Sequence, residues 1–264
     1  MITAPDKVGV GQPFLVRMVF PYLVDDIEVI WNDMSLHPSI EYSGETSSSM
    51  ILLGTRLAEG PARRSLRVNV IAGRAVESCS KEINITSHKY KKETLSVAPR
   101  MVKPPQDMQE RIKLEHESSL KAALTFSVDR QWSVPFSLPV KGKMLSRFGL
   151  YRVFNNELKS RHKGLDFRAG LGTPVSSVAP GKIVMTGHDF YYGGNCVYVD
   201  HGNGVVSSYQ HLSKILVKEG EQVQRGDRIG LAGSSGRTTG AHLHLSVYAN
   251  GVNIDPAPLF RMGQ

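Results

Sequence analysis

The last third of the chain carries His162, Asp166, His211, His242 and His244, within the segments HKGLDF (162–167), YQHL (209–212) and HLHLSV (242–247). Imidazole nitrogen and carboxylate oxygen are donors that zinc takes in a tetrahedral arrangement, and a catalytic site keeps one position open. Three of these side chains are enough for such a site. His242 and His244 are two residues apart in a stretch that reads as strand, with Leu243, Leu245 and Val247 on its other face. Alternate residues of a strand share a face, so both imidazoles look into one cavity. His162 and Asp166 can reach the same ion across a short extended segment. Six of the nine histidines follow residue 160. Burying several imidazoles with no ion leaves unpaired polar atoms, so five such residues in three motifs are poorly explained as core histidines. His188 and His201 fall outside the motifs and read as loop or turn residues.

With three protein ligands, positions remain for water and for a substrate carbonyl. Zinc lowers the pKa of water that it binds to about 7 and polarises the carbonyl. The chain has no HExxH helix with its glutamate base. Histidine must therefore take the base role.

The order H-x-G-x-D, Y-x-H-L, H-x-H, with SRFGLYR (146–152), DHGNG (200–204) and GRTTGAHLH (236–244), makes residues 140–260 resemble the lysostaphin/LytM-type zinc endopeptidases that cut the peptides of bacterial cell walls. The resemblance implies one Zn2+ ion held by His162, Asp166 and His244, with His211 and His242 as non-ligand catalytic histidines. None of the five positions departs from the pattern, which implies an active enzyme rather than a metal-free relative. It further implies a peptidoglycan peptide as substrate, a regulatory envelope protein as an admissible partner, and a periplasmic or extracellular place in the cell envelope. The N-terminus shows no basic region followed by an apolar stretch, so either the protein is not exported or, as the resemblance implies, a leader has been removed. The alternative is a latent or non-enzymatic envelope module that binds wall or regulates another wall hydrolase.

Composition is ordinary for a soluble globular protein. It has 264 residues, 41% of them hydrophobic, and no run long enough for a membrane span. The formal net charge is +8, which suits anionic partners. The basic residues are scattered, HKYKK (88–92) is the clearest cluster, and no nucleic-acid-binding motif accompanies it, so no nucleic-acid partner is expected. Cys79 and Cys196 are too few for a disulfide framework.

These residues need elements to position them. Residues 1–90 show five alternating stretches separated by turn residues, the pattern of an Ig-like β-sandwich. Residues 91–129 read as linker and helix. The helix is expected over 107–124, with Met108, Ile112, Leu120, Ala123 and Leu124 as an apolar stripe packed between two domains. Residues 130–264 return to strands and glycine-rich turns and are read as an antiparallel β-sheet metallopeptidase domain. Loops at 155–157, 191–193 and 234–238 are expected to form the groove, with Tyr192 and Thr239 as substrate contacts. The repeated rhythm of GTPVSSVAPGKIV and GEQVQRGDRIG resembles a lipoyl-type carrier, but residues 188–212 between them hold no lysine to modify.

Overall fold

Alternation of apolar and polar residues dominates the first 90 positions, and the chain folds there as two facing sheets. The computed structural model describes residues 1–95, 104–154 and 158–262. One sheet orders β1 (Ile2–Thr3), β3 (Pro13–Phe20), β7 (Thr46–Gly54) and β6 (Ile40–Ser43). The other orders β2 (Lys7–Gly9), β9 (Ala75–Thr86), β8 (Ala62–Ala72), β4 (Asp26–Trp31) and β5 (Met34–Leu36). Val16, Met18, Ile27, Ile51 and Ile83 fill the space between them, with Trp31. The Trp31 indole donates to the Gly54 carbonyl at 2.9 Å, the partner a buried indole needs.

The β3–β7 sheet is apolar on both faces. Leu15, Met50 and Leu52 point away from the sandwich and into the core of the C-terminal unit. Polar contacts fasten the same junction. The Asn203 side chain accepts from Ser39 N at 3.0 Å and donates to Met50 O at 3.3 Å, and Asn250 donates to Leu52 O at 3.1 Å.

The C-terminal unit is built on one large sheet in the order β11 (Met144–Ser146), β14 (Leu165–Arg168), β21 (His242–Ala249), β18 (Val205–Ile215), β17 (Gly194–Asp200), β16 (Gly181–Phe190) and β19 (Gln222–Val223). β22 (Val252–Ile254) extends it beside β21, and β20 (Arg228–Ala232) joins β18 to β15 (Pro174–Ser176). One face buries Val197, Val199, Tyr209, Leu243, Leu245 and Val247. The other face carries His242, His244, Ser246 and Tyr248 in alternate positions of β21.

The connector touches this unit twice. β10 (Lys92–Leu95) adds in parallel to β12 (Tyr151–Phe154), which forms a hairpin with β13 (Leu158–Arg161). Helix α1 (Gln109–Ala123) then lies on the second face of the large sheet, where Ala122 packs with Met185, Cys196, Tyr198 and Val206. The helix expected over 107–124 is thus present, but its position differs from the expectation. Only Ala122 and Ala123 are fully buried, and Leu120 and Leu124 are exposed. The two units meet through β7 directly, so the helix is free to cover open sheet instead. The two cysteines are unpaired, Cys79 exposed and Cys196 buried. No helix among the described residues is long and apolar enough to cross a membrane.

Candidate metal centre

Strand register brings most of the site together. Asp166 on β14 lies directly opposite His244 on β21, and Arg168 lies opposite His242. Cross-strand partners share a face. His162 enters just after β13, with its backbone N–H bonded to Leu150 O at 2.9 Å. The glycine of H-x-G-x-D has a steric reason. A Cβ on Gly164 would stand 2.3 Å from Leu245 O and 2.7 Å from His244 Nε2. Only a bare backbone lets the loop from His162 pass over β21.

His211 reaches the site by a different device. Tyr209 pairs with Val197 and Leu212 with Asn195, so Gln210 and His211 together oppose the single residue Cys196. This is a β-bulge, which redirects the side chains beyond it. Tyr209 is buried in the core, so regular alternation would send His211 to the core as well. The bulge turns it onto the face of His242 and His244. His211 adopts a positive φ of 64°, unusual for a residue with a Cβ. Its N–H bonds to Gly193 O at 2.8 Å, which holds that conformation.

The five residues named above meet in one cluster. His162 Nε2, His244 Nδ1 and Asp166 Oδ1 lie 2.8–3.1 Å from one another. Hydrogen bonds on their far sides set the tautomers. His162 Nδ1 faces the Arg147 carbonyl at 2.9 Å, which can only accept, so Nδ1 carries the proton. The Ser246 hydroxyl donates to Lys163 O and therefore accepts from His244 Nε2, each contact 2.9 Å. Both inward-facing nitrogens keep lone pairs, and with Oδ1 they converge on one point. Their separations come close to the roughly 3.3 Å between donors expected for a tetrahedral ion with bonds of about 2.0–2.1 Å. A cation with nitrogen and oxygen donors fits this set.

His211 and His242 stand beside it, ring centroids 4.7 Å apart. His211 Nδ1 donates to Ser235 O and His242 Nδ1 to Gly240 O, both at 2.9 Å. Each leaves Nε2 unengaged, and that of His242 lies 3.7 Å from Asp166 Oδ1. Burial works to raise the Asp166 carboxyl, but the imidazoles against it outweigh burial and hold it well below the usual carboxylate range. Burial, reinforced by neighbouring His244, brings His211 down to about 4. Burial also lowers His244, against the pull of Asp166. His211 and His244 are therefore held in the neutral form at pH 7, as a proton acceptor and a ligand must be.

Around the cluster, Tyr192 is partly exposed and the Arg237 guanidinium lies 4.4 Å over its ring. α1 braces this wall, since Glu115 accepts from Tyr191 N at 2.7 Å. Thr239 is exposed at the rim, and residues 155–157 lie outside the described residues. His188 is an exposed residue of β16. His201 is fully buried, and both its nitrogens are engaged, by Pro180 O at 2.6 Å and Ser207 Oγ at 2.8 Å. His201 does lie in the turn between β17 and β18, but packed and fully engaged, whereas His188 is a strand residue rather than the loop or turn residue expected. Sequence reading passed over Arg168 and Ser246, although each stands two residues after a site residue and so shares its face. It also passed over the ion pairs of Arg152, for which spacing offers no signal.

Comparison with known proteins adds to this geometry. Residues 160–256 match the model for peptidase family M23. Over 90 residues the chain is 50% identical to peptidoglycan DD-endopeptidase ShyA of Vibrio cholerae, covering 34% of this chain and 21% of that one. Over 105 residues it is 40% identical to lysostaphin of Staphylococcus simulans, covering 38% and 21%. A crystal structure from Pseudomonas aeruginosa described as a peptidase M23 aligns with a TM-score of 0.68 at 27% identity, over 94% of both chains. The matched part spans only about a fifth of these two curated relatives.

Proposed function

We propose, from the match of residues 160–256 to the model for peptidase family M23, that the chain is a zinc-dependent endopeptidase that hydrolyses peptide bonds of bacterial peptidoglycan. The observation that carries the reading is the convergence of three lone pairs, on His162 Nε2, Asp166 Oδ1 and His244 Nδ1, whose outer partners are already spoken for. These three residues are the proposed ligands of one Zn2+ ion. Residues 130–264 are the proposed catalytic unit, 1–90 the sandwich and 91–129 the connector. The substrate places the working enzyme in the cell envelope.

A zinc ion held there supplies a Lewis acid that polarises the scissile carbonyl and acidifies water. His211 and His242 do the proton work. Each presents its Nε2 to the space beside the ligands, oriented by a carbonyl on its Nδ1–H. One accepts the proton of the attacking water and passes it to the leaving amine nitrogen as the C–N bond breaks. The ring that carries the proton is a donor from both nitrogens and can also hold the developing oxyanion. Arg168, opposite His242 and exposed, and Arg237 over Tyr192 line the two sides with positive charge. That charge suits wall peptides, which carry free carboxylates.

The test is a digest of purified peptidoglycan sacculi by the zinc-loaded full chain, read by mass spectrometry, with Asp166→Ala beside it. Loss of cross-linked or full-length stem peptides with the wild type alone is the expected result. An Asp166→Ala protein that digests the wall as fast as the wild type would sink the ligand assignment.

A further inference from the structure

Asp166 has two carboxylate oxygens, and only Oδ1 faces His162 and His244. Oδ2 faces the guanidinium of Arg152 on β12, at 3.4 Å. The same guanidinium nitrogen donates to Ser146 Oγ at 3.2 Å. On the other side, Arg152 Nε is 3.6 Å from a carboxylate oxygen of Glu93. Glu93 belongs to β10, the connector strand, and stands directly opposite Arg152 in the parallel pairing. A chain of charges therefore runs from the connector to the candidate metal centre: Glu93, Arg152, Asp166. The side chains of Arg152 and Asp166 are largely buried, and that of Glu93 is about half exposed.

From this arrangement we infer that Arg152 is a positioning residue for the carboxylate ligand, and that Glu93, delivered by the connector, holds Arg152 in place. The inference rests on the metal-binding reading of His162, Asp166 and His244. Carboxylate ligands are oriented by partners on their outer oxygen, and loss of such a partner commonly costs 10–100-fold in metal affinity. A guanidinium on Oδ2 keeps Asp166 from chelating through both oxygens and aims Oδ1 at the ion. A bare guanidinium so close to a cation site also opposes the ion's charge. Glu93 offsets that charge. Thus a segment outside the catalytic sheet completes the metal centre, and anything that peels β10 from β12 weakens it.

The experiment uses the full chain and reads metal rather than turnover. Zinc affinity is measured by chelator competition, and the ligand field by the visible absorption of the Co2+-substituted protein, with circular dichroism checking the fold. Arg152→Ala is expected to bind zinc 10–100-fold more weakly and to shift the cobalt bands. Arg152→Lys is expected to recover part of the affinity but not the band positions, because an ammonium cannot present the same fork. Glu93→Gln, which keeps size and strand pairing, is expected to weaken zinc by a smaller factor, ~3–10-fold. Wild-type affinity and an unshifted cobalt spectrum in Arg152→Ala overturn the inference. If Arg152→Ala does not fold, Glu93→Gln decides alone, and a wild-type affinity and spectrum there overturn it. Asp166→Ala separates the two levels: if it binds zinc as the wild type does, the ligand set itself is wrong and this inference falls with it.

Discussion

The turn at His201 and the bulge at His211 hold two buried histidines, ten residues apart, one before β18 and one within it, with opposite uses. Burial lowers both rings to about 4. The titration of the ring therefore does not distinguish them. His201 has a partner on each nitrogen and its ring lies tilted against Phe136 in the core, two residues from the junction residue Asn203. His211 has a partner on Nδ1 only, and its Nε2 looks into the cluster. A histidine is available for chemistry when a nitrogen is left over after its surroundings have been satisfied.

Substitution should separate the two. The largest effect on turnover is expected from His211→Ala, a loss of about 10²–10⁴-fold in kcat, the usual worth of a positioned proton-transfer group. Zinc content should stay at one per chain, since His211 is not among the three converging atoms. A His211→Ala protein with near wild-type kcat would erase the contrast. His201→Ala should do the reverse. It strands Pro180 O in the core, leaves Ser207 Oγ with the Tyr209 hydroxyl alone and opens a cavity, for a loss of about 2–4 kcal/mol in chemical denaturation. The fraction that remains folded should turn over normally.

Acid provides a finer test. Both folded pKa values lie below the unfolded value of 6.5, so above pH 6.5 the titration of neither ring changes stability. As pH falls from 6.5 towards 4, the unfolded chain takes up protons that the folded metal-free chain refuses, and stability is lost. For His201 the loss reaches about 3 kcal/mol near pH 4. Removing either histidine should flatten the slope of stability against pH in that window. Only the His211 variant should lose activity at pH 7. A slope unchanged by His201→Ala would mean that the ring is already protonated in the fold. The smallest effect is reserved for the groove. Arg168→Ala should raise KM about 3–10-fold with kcat nearly intact, as expected for an exposed charge that meets a substrate carboxylate at the rim. A change in kcat alone would move Arg168 into the catalytic cluster.

Much of this was legible in the chain itself. Alternation in PFLVRMVF and SLRVNVIAG marked sandwich strands, and HLHLSV marked a strand with one apolar and one histidine face. The i, i+2 rule was enough to pair His242 with His244, and it also held the information for Arg168 and Ser246. The helix was visible as a helix, but its stripe was misjudged. Leu120 and Leu124 have helical spacing and yet face solvent, because a helix capping open sheet needs only small residues such as Ala122 and Ala123 at the contact. The second apolar face of β7 was hidden for a related reason. Leu52 reads as part of a continuous run, and nothing local says that another unit covers it.

The residue types alone therefore determined which atoms are able to take a metal and a proton, because imidazole and carboxylate donors at strand and short-loop spacing have few other uses in a core. Tertiary structure decided everything that depends on which way a side chain is turned and what meets its far side. A one-residue bulge against Cys196 put His211 on the site face rather than in the core. Two carbonyl acceptors distant in sequence chose the tautomers of His162 and His211, and the distant Lys163 carbonyl oriented the Ser246 hydroxyl that chose that of His244. A connector strand laid against β12 brought Glu93 to Arg152 and so to Asp166. Side-chain direction reverses with each residue of strand register, and a hydrogen bond depends on position to a few tenths of an ångström, so neither is written in spacing along the chain.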